Sequence, residues 1–166
     1  MDFFIKDHGR IFSLKVPRGV KLVYQPIKGM SLFADRNFRV GEKITGLSGK
    51  ITSASIASPE AIQVSANYFL DGKDYVPEDF INHACEPNTR LDIERRRFAA
   101  IKNIPKNCEI TFNYNTTEFD MAKYGTDFIC ICGSKKCLGE IKGFKYLSMK
   151  QKIQLKPYLS TFLSAN

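Results

Sequence analysis

The 166 residues predict a mostly β chain with few short helices. Three observations carry this. Short alternating runs broken by turn residues fill the first hundred positions, and helical spacing appears only near the C-terminus. Cysteines in two distant places are set to tie the tail to the body.

In order, Ile11-Phe12-Ser13-Leu14-Lys15-Val16 alternates apolar with polar, Pro17-Arg18-Gly19 turns, and Val20-Lys21-Leu22-Val23-Tyr24 alternates again. Lys28-Gly29-Met30 leads into the apolar run Leu32-Phe33-Ala34, and Val40-Gly41-Glu42-Lys43 turns into a strand over residues 44–51. Residues 52–60, rich in Ser, Ala and Pro, read as a loop with at most one helical turn. Residues 62–70 read as a strand, followed by the Asp71-Gly72 turn and a short strand at Tyr75-Val76. Leu91-Asp92-Ile93-Glu94 and Phe98-Ala99-Ala100-Ile101 flank Arg95-Arg96-Arg97 as a hairpin. Ile104-Pro105-Lys106-Asn107 turns the chain into a strand over residues 109–112. Only the end reads as helix: residues 147–155, then Pro157, then residues 158–163.

The length suits one domain with its own core, and 43% hydrophobic with 25% charged residues is a globular composition. No apolar run approaches a membrane span, and Met1-Asp2-Phe3-Phe4-Ile5-Lys6-Asp7 is too acidic and short for a secretory signal. The expectation is a soluble intracellular protein, cytoplasmic or nuclear. The net charge of +8 gathers at Arg95-Arg96-Arg97, Lys135-Lys136 and residues 142–156. Such a surface attracts nucleic acid or an acidic partner, but a merely solvated face explains each cluster as well.

Cys130, Cys132 and Cys137 form a C-x-C-x4-C cluster, one thiolate short of a closed tetrahedral site. Cys85, in Asn82-His83-Ala84-Cys85-Glu86-Pro87-Asn88, is the natural fourth ligand, and its joining would fold the tail over that loop. Zinc suits this spacing better than its alternatives, two disulfides with a spare thiol or four free thiols. Cys108 lies outside both groups and reads as a small buried residue. Within residues 82–88, Asn82 offers an amide that both donates and accepts, His83 adds a ring, and Pro87-Asn88 fixes a turn. Taken alone, Asn82-His83 could equally be a structural pair.

Four segments in order then resemble one family. Asn82-His83-Ala84-Cys85-Glu86-Pro87-Asn88 resembles the N-H-S-C-D-P-N signature of SET-domain protein-lysine methyltransferases. Glu109-Ile110-Thr111-Phe112-Asn113-Tyr114 resembles their E-[LI]-T-[FY]-D-Y strand. Residues 130–139 look like the post-SET zinc segment, and Lys28-Gly29-Met30-Ser31-Leu32-Phe33-Ala34 is similar to their G-x-G-L-F-A segment. The resemblance covers residues 20–145. It implies the SET β fold, small sheets with pseudoknot-like C-terminal threading, followed by a post-SET zinc segment. It divides the chain into a SET domain (1–125), a zinc segment (126–145) and a helical tail (146–166).

The resemblance implies transfer of methyl from S-adenosylmethionine to a lysine Nε of a protein or peptide, a histone or another basic-tailed protein. Lysine, with a pKa near ~10.4, must lose water and a proton before its lone pair can attack. By resemblance Tyr114 is the catalytic tyrosine, orienting rather than acting as an obligatory base, and Phe112 tunes how many methyls are added. Without a hydroxyl, Phe112 leaves room for products beyond monomethyl-lysine. Tyr68 and Tyr75 are further candidate channel walls, although strand packing explains at least one of them. The resemblance assigns the donor to Lys28, Gly29, Met30, Asn82, His83 and Tyr114. Phe128, Ile141 and Phe144 are read as closing over the adenine, with burial in a satellite core as the alternative. The zinc ligands are Cys85, Cys130, Cys132 and Cys137.

Three positions depart from the family pattern: Ser31 for a glycine, Asn113 for an aspartate, and Leu138 where a basic residue is frequent. Ser31 and Asn113 support an alternative, a catalytically silent SET-like module that binds a protein partner. Nucleic-acid contact is secondary, and no membrane contact is expected.

Overall fold

The structure is a computed structural model describing residues 2–7, 10–72 and 74–165. Small sheets dominate it, as the alternating runs require. β1 (Asp2–Asp7) and β2 (Arg10–Lys15) form an N-terminal hairpin. β3 (Val20–Gln25) and β4 (Gly29–Ala34) form a second, with Gly29 at φ 73° closing its turn, a conformation that a Cβ would strain.

The strand expected over residues 44–51 is two: β5 (Lys43–Gly46) and β6 (Lys50–Ser53), in different sheets. Gly49 at φ 111° causes the break, since a Cβ there would meet the Asp71 carbonyl oxygen at 2.5 Å. Residues 62–70 likewise divide into β7 (Ile62–Gln63) and β8 (Tyr68–Asp71), both antiparallel, with β8 between β6 and β7. Tyr75-Val76 is not a strand. Val76 instead precedes a 3-10 turn, Pro77–Phe80, whose Asp79 carboxylate accepts the Val76 backbone N–H at 2.9 Å. Local side-chain capping has overridden β propensity there.

β9 (Asn82–His83) and β12 (Thr111–Phe112) pair in parallel across 27 intervening residues, which sets the signature loop beside the tyrosine strand. Asn88 locks them: its Nδ2 donates to the Glu109 carbonyl at 2.7 Å, and its Oδ1 accepts from the Thr111 N–H at 2.9 Å. Between them, β10 (Thr89–Asp92) and β11 (Arg97–Ala100) form the expected hairpin, with β11 also paired to β5. The arginine run is engaged in this turn: Arg95 and Arg97 pair with Asp92, and Arg96 donates to the Leu47 and Gly49 carbonyls.

Leu32, Phe38, Phe98, Ile104 and Ile110 are the innermost residues of the main core, each burial contributing about 1.5–3 kcal/mol. Helix is not confined to the end. A 3-10 turn spans Tyr114–Thr116, and α1 (Met121–Tyr124) is capped by Asp120, whose side chain accepts from Lys123 N–H. Four-residue helices leave too little periodicity to read. β13 (Phe128–Ile129) and β14 (Glu140–Ile141) frame the cysteine cluster, followed by the 3-10 turn Phe144–Tyr146. α2 (Met149–Leu155) starts at a Ser148/Gln151 capping box, and the segment expected helical over 158–163 is a 3-10 turn, Lys156–Tyr158, then α3 (Thr161–Ser164). No helix among the described residues is long and apolar enough to cross a membrane.

Candidate active site and metal centre

Tyr114 follows β12 and opens a 3-10 turn. Asn113 makes this turn: its Oδ1 accepts from the Asn115 backbone and side-chain N–H groups at 3.1 and 3.0 Å. Its Nδ2 donates to the Cys85 carbonyl at 3.5 Å, a bond that an aspartate could not supply. The Tyr114 backbone N–H donates to His83 Nδ1 at 3.1 Å, and its hydroxyl donates to the Ile81 carbonyl at 3.1 Å. Burial first, then the charges of Glu118 and Glu109, push the phenol pKa above its ordinary value, so the hydroxyl stays a proton donor.

Two cavities meet at this ring. One, about 330 Å³, is walled by Ile62, Phe69, Ile81, Phe112, Tyr114 and Phe128, with Glu60, Glu78, Asp79 and Glu118 among its polar groups. The second, about 300 Å³, is walled by Ile27, Lys28, Asn82, His83, Tyr114 and Phe128 and by the exposed Ile129 and Ile131. Among the described residues, Tyr114 and Phe128 line both. Phe112 packs tilted on Tyr114 at 4.7 Å and edge-on to Phe98 at 5.1 Å, which fixes its ring on the first cavity's wall.

Several carboxyls near Tyr114 are perturbed. Burial raises Glu118 to about 7 against the lowering hydrogen bond from the Gln63 N–H. Burial raises Asp79 to about 7 against the Val76 N–H, with the charges of Glu78, Glu60 and Asp71 adding to the rise. Sequence reasoning missed these groups and the Ile81 acceptor. Glu118 reaches the cavity because the chain turns after Tyr114, its N–H donating to the Tyr114 carbonyl at 2.9 Å, and no pattern in the sequence marks that turn.

At the cysteines, the four Sγ atoms of Cys85, Cys130, Cys132 and Cys137 lie within 4.8 Å of one another. Cys85 and Cys130 are 3.9 Å apart, and tetrahedral zinc thiolates place sulfurs about 3.8 Å apart for bonds of about 2.3 Å. All four are free cysteines, so the disulfide alternative fails among them. Backbone N–H groups of Leu138 and Gly139 point at Cys85 and Cys137 Sγ at 3.3 and 3.5 Å, the outer hydrogen bonds that steady thiolate ligands. Leu138 thus acts through its main chain, and its side chain packs beside the cluster. Burial raises the Cys85 and Cys130 thiols. It also acts on Cys132, but the backbone N–H groups of Cys85 and Ser134 and the neighbouring thiols overcome it and bring that thiol down to about 7. The donor set fits a zinc ion.

The loop and the cluster are also joined by Glu86, which accepts from Ser134 Oγ at 2.6 Å and pairs with Lys136 at 2.9 Å. His83 lies between: with Nδ1 accepting from Tyr114, its proton sits on Nε2, 3.4 Å from Cys85 Sγ. Burial lowers the His83 pKa to about 4, which keeps the ring neutral.

Some expected residues are elsewhere. Tyr68 is half exposed on β8 and is not on the walls of the tyrosine cavity, while Tyr75 borders an adjoining cavity of about 180 Å³. Gly29 and Met30 begin β4 and are not on the walls of the second cavity, where Ile27 and Lys28 stand instead. Ile141 is fully buried on β14 opposite Phe128, its partner on β13, and is not among the residues lining the second cavity.

The SET domain family matches residues 29–115, just over half of the chain. The chain belongs to the SET domain family. It is similar to the methyltransferase flvH of Aspergillus flavus, 32% identical over 89 residues, covering 51% of this chain and 48% of flvH. The H3 lysine-9 specific histone-lysine N-methyltransferase dim-5 of Neurospora crassa is 34% identical over 80 residues, covering 38% of this chain and 24% of dim-5. A crystal structure of KRYPTONITE in complex with mCHG DNA and SAH shares the SET fold, with a TM-score of 0.60 at 20% identity. It covers 73% of this chain and 28% of that one. The chain spans about half the length, or less, of these curated relatives.

Proposed function

We propose that this SET chain is a protein-lysine N-methyltransferase that uses S-adenosylmethionine to methylate a lysine Nε in a basic-tailed protein, a histone being one such substrate. The observation that carries the reading is the wall shared by two cavities, formed by Tyr114 and Phe128. A donor held on one side and a lysine entering from the other would meet across it, as in-line transfer requires. The histone-lysine methyltransferases among its relatives support the same reading.

The donor would supply an electrophilic methyl on a sulfonium. The chain's residues do the rest. Asn82, His83 and Lys28 border the donor side, and Phe128 covers it. Phe112, Ile81 and Tyr114 strip water from the lysine amine, which favours its neutral, nucleophilic form. The ammonium gives its proton to solvent water before the lone pair attacks, and the methyl–sulfur bond breaks to leave a neutral thioether. Tyr114 orients through its hydroxyl and does not take the proton, because its phenol is held protonated. Glu60, Glu78, Asp79 and Glu118 on the same cavity suit a substrate with cationic neighbours. Phe112 leaves room for di- and trimethyl-lysine.

We assign zinc to Cys85, Cys130, Cys132 and Cys137, where it holds the segment bearing Phe128 and Ile129 against the signature loop. The division into residues 1–125, 126–145 and 146–166 follows from that role. Nucleic-acid contact is secondary in this reading, since the arginine run serves its own hairpin.

Methylation of a lysine-peptide array by the full chain, with Tyr114→Phe as control, tests the proposal. Label on lysine in basic contexts is expected. Donor binding without transfer to any peptide would leave a silent binding module instead.

A further inference from the structure

Ser31 replaces a residue whose family counterpart has no side chain, and the structure shows where its hydroxyl goes. Its side chain is fully buried, at the junction of the β3–β4 hairpin and the signature loop. Gln25 Nε2 donates to its Oγ at 2.8 Å, Asn82 Nδ2 donates to it at 2.7 Å, and the hydroxyl itself reaches the Gly29 carbonyl at 3.3 Å. One donor and two acceptor sites are all that a hydroxyl has, and all three are used.

Asn82 Nδ2 has a second partner, Glu109 Oε1, at 3.1 Å, and Glu109 Oε2 pairs with Lys28 at 2.6 Å. Both amide hydrogens of Asn82 are therefore engaged. Flipping the carboxamide would set its oxygen against the Glu109 carboxylate and against the lone pairs of a hydroxyl already committed to Gly29. The network allows one orientation, and in it the atom that Asn82 can offer to the neighbouring cavity is its carbonyl oxygen.

We propose that Ser31 is a positioning residue for donor recognition: it fixes the Asn82 carboxamide so that its oxygen accepts a hydrogen bond from the α-ammonium of the donor's amino-acid end. The inference rests on the donor assignment made above. An acceptor oxygen backed by the Glu109 carboxylate suits a cationic amine, and Lys28, held by the same carboxylate, suits the adjacent α-carboxylate. Without the Ser31 hydroxyl, one Asn82 N–H loses its partner and the amide is held by Glu109 alone, which loosens its orientation. The substitution thus acts on the amino-acid end of the ligand and leaves the adenosine contacts alone.

Calorimetric titration of the full chain with S-adenosylhomocysteine and with 5′-methylthioadenosine, which lacks the amino-acid end, tests this. Ser31→Ala and Ser31→Gly should each weaken S-adenosylhomocysteine about tenfold, the worth of one hydrogen bond, while methylthioadenosine binding stays within about twofold. The retained nucleoside binding also shows that the variants are folded. On a peptide substrate, KM for the donor should rise with kcat little changed. Equal affinity of wild type and variants for S-adenosylhomocysteine would overturn the role of Ser31 while leaving the function standing. A parallel loss of both ligands would overturn it too, by making Ser31 a general structural residue. Wild-type protein that binds neither ligand would remove the proposed function and this inference together.

Discussion

His83 accepts the backbone N–H of Tyr114 at Nδ1 and turns its Nε2 toward Cys85 Sγ, so one neutral ring spans Tyr114 and the cysteine cluster. The two rings also pack edge-on at 5.3 Å. His83→Ala would leave a buried amide unpaired and a cavity between the two centres. The expected cost is about 2–4 kcal/mol of stability, measured by urea unfolding. Loss below about 0.5 kcal/mol would mean that the ring bears little of this load.

The Tyr114 hydroxyl donates to the Ile81 carbonyl at 3.1 Å, and its removal leaves the ring packing on Phe112 and His83 in place. Tyr114→Phe is expected to keep donor affinity within a few-fold and to cut methyl transfer by about a hundredfold or more, the usual scale for one aimed polar group in a dry site. Single-turnover kinetics with saturating donor separates the two effects.

Phe112 sits on the wall of the cavity of about 330 Å³ and is held by Phe98 and Tyr114. Phe112→Tyr would place a hydroxyl, and a water bound to it, where added methyl groups otherwise fit. Mass spectrometry should show wild type proceeding to di- or trimethyl-lysine and the variant stopping at one. Wild type and variant both stopping at monomethyl-lysine would contradict the role given to Phe112.

Removing the metal should act on the tail first. Exhaustive chelation is expected to release one zinc per chain, to raise amide exchange in residues 126–145 and to abolish transfer, with the β3–β4 and β10–β11 hairpins still protected. Full activity in metal-free protein would sever the link between the cluster and the cavities.

Stability should fall as pH rises through the weakly acidic range. Asp79 and Glu118 hold protons to about pH 7 in the native chain, whereas the unfolded chain releases them near pH 4. Between these limits the folded state binds more protons, so each group removes about 1.4 kcal/mol of stability per pH unit of increase. Thermal melts from pH 5 to 8 should show the decline, and Asp79→Asn should flatten it.

Much of this was readable in advance, for physical reasons that differ by element. The β10–β11 hairpin announced itself because two apolar-rich runs flank the turn residues Arg95-Arg96-Arg97, whereas the pairing of β3 with β4 was not legible, since residues 32–34 show only an apolar run with no alternation. The four-thiolate set was legible because metal spacing is a short-range pattern, and the structure gathers all four. The division of residues 44–51 was hidden in the close approach of Gly49 to Asp71, a long-range contact that local pattern does not encode. Tyr68 failed as a channel wall because alternation on a four-residue strand sets its face only once the register is known. Ser31 was legible only as a departure from glycine; its bonds to Gln25 and Asn82 were not, since these partners come from 6 and 51 residues away.

The most direct test of the account is transfer itself. Full-length protein should be incubated with S-adenosylmethionine carrying a labelled methyl and a lysine peptide with basic neighbours, and the peptide sequenced by mass spectrometry. The label should appear on the lysine side-chain nitrogen, and Tyr114→Phe protein that still binds donor should fail to place it there. Label that persists undiminished in the Tyr114→Phe protein would contradict the claim that the two cavities exchange a methyl group across that ring.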